Sequence, residues 1–243
     1  MKHELTFGII GAMDSEIRRL LEAANDWQTQ DRAGLTFYAG TRAGQRLVLV
    51  KSGIGKVNAA RCAQILLDCY APDYLINTGI AGGLSQGLGV GDVVVGAELV
   101  QHDFDVTAFG HARGYLCTGE DDTKPTVFRS DEQLVSLVAD LAVGAPYAIR
   151  RGRIATGDAF ISSRAAKAEL SSLFAADAAE MEGAAIAQTA AACGVPFLVL
   201  RAISDLADGT AADSFDAFEQ ETADRSASLL LTLIDTLGSA ACR

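Results

Sequence analysis

Charged residues stand where apolar runs stop. Glu16 follows "GIIGAMDS", Glu180 and Glu182 flank Met181 in "AEMEGAA", and "FLVLRAISD" (197–205) ends on Arg201, Ser204 and Asp205. Burying an unpaired charge costs several kcal/mol, so the last run must emerge into solvent, close an ion pair or build a working site. Carboxylates in such places can give or take a proton when burial moves their pKa values. Plainer roles compete. Glu16 and the "EMEG" pair could do no more than cap helices or complement their dipoles, and Met181 could be core filler.

Other motifs carry less. "SGIGK" (52–56) resembles half a phosphate loop but lacks the first glycine and the Ser or Thr of the full pattern, which leaves a tight strand-to-helix turn. "GLGVGD" (87–92) precedes a strand instead of following one, against dinucleotide binding. Three histidines and no H-E-x-x-H or Cys/His cluster argue against a metal site, and "HDFD" (102–105) reads as a loop anchor. The serine hydrolase elbow G-x-S-x-G is absent.

The elements that must position these residues follow from periodicity. Apolar runs at Phe7–Ile10, Leu47–Val50, Tyr74–Ile76, Val93–Val95 and Phe197–Leu200 predict strands buried on both faces. Between them, helical spacing predicts helices over Val57–Cys69, Asp131–Val143 behind Ser130 as N-cap, Glu182–Cys193, and about Ser214–Leu237. Strands alternating with helices imply a largely parallel sheet covered on both faces, with ligands at the carboxyl ends of the strands. "GAMDSE", "KSGIGK", "NTGIAGG" and "RAISD" follow apolar runs, "ATGDAFI" comes near Ile154, and small residues recur among them, so several strand ends point to one crevice. Residues 100–127 lack periodicity and predict a long excursion, a lid or an interface.

At 243 residues with 49% hydrophobic content, the chain suits a single domain over 1–243. A net charge of −11 argues against nucleic acid and anionic membranes as partners. The five scattered cysteines, Cys242 among them, fit reduced thiols in cytosol. "LTFGIIGAM" is too short and glycine-broken for a signal peptide, and no run is long enough to span a membrane.

Eight segments, among them "GIIGAMDSE", "KSGIGKVNAA", "INTGIAGGL", "HDFDVTAFG", "GDAFI", "AEMEGAAIA" and "VPFLVLRAISDLAD", resemble the bacterial 5'-methylthioadenosine/S-adenosylhomocysteine nucleosidases in order and spacing. The resemblance covers nearly the whole chain and is weakest over 117–151. It implies a three-layer α/β/α sandwich with a central mixed, largely parallel sheet of the nucleoside phosphorylase type. It further implies a cytoplasmic homodimer, with the His102–Thr118 region near the partner's site, and hydrolysis of the adenine N-glycosidic bond without metal or organic cofactor. By position, Glu16 would activate water and Asp205 would protonate adenine N7, with Ser204 orienting Asp205. Glu182 would bind the ribose hydroxyls, with Met181 against the sugar and Arg201 near the water. Phe160 would stack on adenine while the Ile161 backbone meets its Watson–Crick edge, and Met13, Ile54, Ile80 and Phe109 would complete the pocket.

The chemistry fits those residue types: an oxocarbenium-like ribose and a leaving adenine need an acid on the base side and a carboxylate on the opposite face. A regular strand would place Arg201 and Asp205 on one side and Ser204 on the other. Ile80 stands where some members have serine, and Cys117-Thr118 replaces a common Pro-Gly, which leaves the 5'-substituent open. The rival activities are a nucleosidase for 5'-deoxyadenosine or aminodeoxyfutalosine, a phosphorolytic nucleoside phosphorylase, and a non-catalytic nucleoside-binding module. A glutamate in the first glycine loop would repel phosphate and favours hydrolysis.

Overall fold

All five apolar runs are strands, and three of them extend well beyond the apolar stretch. The computed structural model describes residues 4–24, 26–118, 120–141, 145–209 and 211–240, so the expected helix end at Val143, and Cys242, lie outside the described residues. In chain order the strands are β1 (Thr6–Gly11), β2 (Gln28–Arg32), β3 (Leu35–Arg42), β4 (Gln45–Lys51), β5 (Tyr74–Gly83), β6 (Val93–Gln101), β7 (Phe128–Arg129), β8 (Ile149–Thr156), β9 (Ala178–Glu180) and β10 (Phe197–Asp205). The helices are α1 (Asp14–Leu21), α2 (Lys56–Tyr70), α3 (Glu132–Leu141), α4 (Arg164–Phe174), α5 (Gly183–Ala192) and α6 (Ala211–Ala240). Five further strands, β2, β3, β7, β8 and β9, and two helices, α1 and α4, fall outside the apolar runs and helical spacings named above. β2 is exposed throughout, β9 has three residues, and α4 buries only Leu170 and Phe174.

The strands form one mixed sheet. β1 pairs in parallel with β4 and β5, and β5 in parallel with β10, which makes the parallel centre. The hairpins β2–β3 and β3–β4 extend one edge. On the other side β10 pairs with β6, β6 with β8, β8 with β9, and β9 with β5, so five strands close into a ring. That closure draws the ends of β5, β9 and β10 together.

Side-chain alternation sends each strand's apolar residues to both faces. Ile10, Val48, Val50, Leu75, Val199 and Ile203 pack beneath α2 and α5, through Cys62, Ala63 and Leu66 of α2 and Ile186 and Ala190 of α5. Phe7, Ile9, Leu47, Leu49, Leu198 and Leu200 pack beneath α1, α3 and α6, through Ile17, Leu20, Leu134, Val138, Leu230 and Ile234. This is the three-layer arrangement. A smaller cluster, with Val100, Ala155, Leu170 and Phe174, fills the space under α4. The small side chains on α5 let it lie close to α2 and the sheet.

One cap differs from expectation. Ser130 donates its hydroxyl to the Gly96 carbonyl at 2.5 Å, which ties the chain to β6, and Asp131 takes over as N-cap by accepting the Leu134 N–H at 3.0 Å. Asp131→Ala is expected to cost about 1 kcal/mol, lowering Tm by roughly 2–4 °C in a thermal melt. Ser130→Ala should leave that helix start capped.

Candidate active site

The ends of β1, β5, β9 and β10, the loop after β8 and the first turns of α1 and α6 enclose a cavity of about 310 Å³, a volume fit for a small molecule. Ala12, Met13, Glu16, Ile54, Ile80, Ala81, Gly82, Phe160, Ala179, Glu180, Met181, Glu182, Ser204, Asp205 and Phe215 line it. Nine of the twelve residues singled out from sequence are in that wall. Arg201 lies beneath it, Phe109 is 80% exposed in a short turn after β6, and the Ile161 side chain packs into the cluster under α4.

Glu16 sits one turn into α1 and is buried. Its Oε2 accepts the N–H groups of Ala12 at 2.6 Å and Met13 at 3.2 Å, and its Oε1 accepts that of Ile80 on β5 at 3.1 Å. The first two contacts are helix capping; the third is not. It fixes the carboxylate against β5, where only a glycine leaves room: a Cβ at Gly79 would meet Oε1 at 2.2 Å. Burial pushes the Glu16 pKa up, opposed by the Arg201 charge and the three N–H donors.

Asp205 ends β10. The pairing with β5 shifts register between Ile203 and Asp205, so the strand is not regular to its end, and Ser204 and Asp205 both reach the cavity. The alternation of a regular strand therefore does not hold here, and among the described residues the ion pairs of Arg201 are with Glu180 and Glu182, not Asp205. Asp205 Oδ1 accepts the Ala207 N–H at 2.8 Å and Oδ2 is hydrogen-bonded to the Ser204 hydroxyl at 2.9 Å. Burial raises its pKa, while the Ala207 and Ser204 hydrogen bonds pull the other way.

Arg201 is 1% exposed, and its Nη2 donates to Glu180 and to Asn77, with Glu182 3.7 Å away. Glu182 turns toward the cavity at the head of α5 and accepts the Gly55 N–H at 2.8 Å. The "SGIGK" turn therefore offers its backbone to a carboxylate. Burial first, then the Glu180 charge, push the Glu182 pKa up. Phe160 and Phe215 meet edge to face with centroids 5.8 Å apart at the mouth. The loop bearing Phe160 is held by the expected "HDFD" anchor: Asp103 binds Lys56 Nζ at 2.6 Å and accepts the Asp158 N–H at 2.9 Å.

Ala12, Ala81, Gly82, Ala179, Glu180 and Phe215 were not singled out from sequence. Ala12, Ala81 and Gly82 lie in strand ends already marked by their small residues, and Phe215 in the apolar stripe of the last helix. Glu180 read as helix-terminal charge. Among the described residues, no group of His, Cys, Asp and Glu side chains is arranged to hold a metal ion.

The fold and cavity place the chain in the Phosphorylase superfamily, whose family model matches residues 6–235. A 5'-methylthioadenosine/S-adenosylhomocysteine nucleosidase of Shewanella loihica is 41% identical over 238 residues, spanning 96% of this chain and 100% of the relative. The Neisseria meningitidis nucleosidase of the same name, solved with methylthio-immucillin-A, is 41% identical with a TM-score of 0.90 and covers 97% of this chain and 100% of its own. The futalosine hydrolase of Helicobacter pylori is 34% identical, also at TM-score 0.90, over 96% and 98%. The chain belongs to the 5'-methylthioadenosine/S-adenosylhomocysteine nucleosidase family.

Asp205→Asn can keep both local bonds, with the amide oxygen accepting from Ala207 and the amide N–H donating to Ser204. Because the folded pKa of Asp205 is raised, ionisation weakens the fold progressively as pH rises from the unfolded carboxylate value, about 3.9, through the folded one. Melts across pH should show the variant matching wild type in acid and exceeding it at neutral and higher pH. A lower Tm for the variant at neutral pH would contradict this.

Proposed function

We propose that this chain hydrolyses the N-glycosidic bond of 5'-methylthioadenosine and S-adenosylhomocysteine, releasing adenine and 5-methylthioribose or S-ribosylhomocysteine. The observation that carries the reading is the charge of the cavity wall: four carboxylates, from Glu16, Glu180, Glu182 and Asp205, and no Lys, Arg or His among the described residues that line it. Such a wall favours a ribose acquiring positive charge and disfavours a phosphate nucleophile.

In the mechanism, Glu16 takes a proton from a water that attacks the anomeric carbon. The C–N bond breaks, and Asp205 gives its proton to adenine N7, so the base leaves neutral. Glu182 holds the ribose hydroxyls and Met181 packs on the sugar. Phe160 stacks on adenine, the Ile161 main chain reads its edge, and Ser204 orients Asp205. Met13, Ile54 and Ile80 supply apolar wall. Glu16 lies against Gly79 and Asp205 against Gly82, three residues on along β5 and so about 10 Å of strand, room for a nucleoside between base and acid.

The likeness to the Helicobacter pylori futalosine hydrolase supports a second reading at the 5' end, an adenine nucleoside with a larger 5'-substituent. The reading also includes a cytoplasmic location, consistent with no described helix being long and apolar enough to cross a membrane. It includes a homodimer as well: Val57 is 78% and Phe109 80% exposed, large apolar side chains that a second copy would cover.

Adenine release should be independent of added phosphate, with kcat/KM compared across methylthio, homocysteinyl and futalosine-type substituents to fix the preference. Release that required phosphate would overturn the hydrolytic assignment. The pH profile of kcat/KM should fall in acid as Glu16 is protonated and fall in base as Asp205 ionises, with both limbs above the ordinary carboxylate range because both pKa values are raised. Sedimentation should find a dimer, and Phe109→Ala should weaken it; a wild-type monomer at micromolar concentration would remove the dimer from the proposal.

A further inference from the structure

The described ionisable groups that face the cavity floor are Glu16 from α1, Glu180 from β9, Glu182 at the head of α5 and Arg201 from β10, with Asp205 at the adenine end. One guanidinium therefore serves several carboxylates. Its distribution among them is set by Glu180. Glu180 Oε2 accepts from Arg201 Nη2, from the Glu182 N–H at 3.0 Å and from the Gly183 N–H at 2.7 Å, while Oε1 accepts from the Thr156 hydroxyl. Oε2, with three donors converging on it, is fully engaged, while Oε1 answers Thr156. Although Glu180 borders the cavity, its hydrogen bonds run chiefly to the framework: Arg201 and the head of α5.

Resting on the nucleosidase reading above, we infer that Glu180 is a positioning residue: it takes the direct contact with Arg201, which limits how much of that charge falls on Glu16 and Glu182, and fixes the backbone turn that aims Glu182 into the cavity. Geometry supports both halves. Arg201 Nη2 donates directly to Glu180, and its ion pair with Glu182 is the longer one, at 3.7 Å. The two N–H groups that Glu180 accepts belong to Glu182 itself and to the first residue of α5. Without the Glu180 charge, more of the guanidinium's, which already reaches Glu16 and Glu182, would fall on them and make Glu16 a weaker base.

Glu180→Gln tests this. The amide oxygen can keep the bonds to Arg201, Glu182 and Gly183, and its NH2 can donate to the Thr156 hydroxyl oxygen, so the variant is built to fold. With the balancing charge gone, the acid limb of kcat/KM should move to lower pH by about one unit, with a fall in kcat at the wild-type optimum. Thr156→Val, which removes one donor and leaves the charge, should lower Tm without moving that limb. Glu180→Asp keeps the charge on a shorter arm and should hold the limb near its wild-type position while raising KM. An unmoved acid limb in folded Glu180→Gln would overturn the proposal, leaving Glu180 as a helix cap. Failure of both Glu180 variants to fold, by circular dichroism, would overturn it equally, since the residue would then belong to the framework. Wild-type protein assayed in parallel separates this from failure of the underlying reading, which would show as no adenine release at all.

Discussion

A guanidinium with 1% exposure at the centre of a sheet is the constraint on which the site is built. Unpaired, Arg201 would cost several kcal/mol, and its neighbours along β10 are apolar. Glu180 and Asn77 meet that cost directly, Asn77 in turn donating to the Ile10 carbonyl, so β1, β5, β9 and β10 are joined beneath one cavity. The compensation is incomplete in one sense. A single cation faces Glu16, Glu180 and Glu182. Burial is why Glu16 and Glu182 ionise less readily than free carboxylates, and at Glu182 the Glu180 and Glu16 charges add to it. A cavity under-supplied with positive charge is poor for binding anions and good for a substrate that turns cationic as its bond breaks.

The second constraint is the irregularity at the end of β10. In a regular strand Arg201 and Asp205 would share a face, and the guanidinium charge on that face would favour an ionised Asp205. The register shift before Asp205 re-aims that side chain toward Ser204 and Ala207, away from the guanidinium. Bulges near strand ends commonly serve to redirect one side chain, and here the redirection separates a group that needs to hold a proton from the cation that would expel it.

Much of this was legible in the sequence, and the gaps have physical causes. Apolar runs marked the strands buried on both faces, and the small and acidic residues after them marked the cavity wall, because strand ends are where a doubly covered sheet opens. β2 and β9 were not legible: one has no buried face and the other is too short to carry a period. Ser130 and Asp131 are both good caps, and only the proximity of the Gly96 carbonyl decides between them. Glu180 was visible as a charge at a helix start, which it is. Its second task, as partner to Arg201, depends on β9 lying beside β5 and β8, a pairing no local pattern encodes.

The proposed division of labour between the two catalytic carboxylates follows from the kind of hydrogen bond each makes. Burial raises both, so burial alone cannot assign acid and base. Glu16 accepts three backbone N–H groups, and a backbone N–H can only donate, so these contacts favour the anion in every state of the site. Asp205 accepts one backbone N–H, and its other oxygen faces a hydroxyl, which can reverse. When Asp205 carries a proton on Oδ2, Ser204 can accept it and turn its own hydrogen toward the Ala81 carbonyl, 3.4 Å away. The neutral acid therefore loses no partner, whereas a neutral Glu16 would set its proton against a donor or leave one unanswered. Fixed donors around one carboxylate and a reversible one beside the other support the proposal of Glu16 as base and Asp205 as acid.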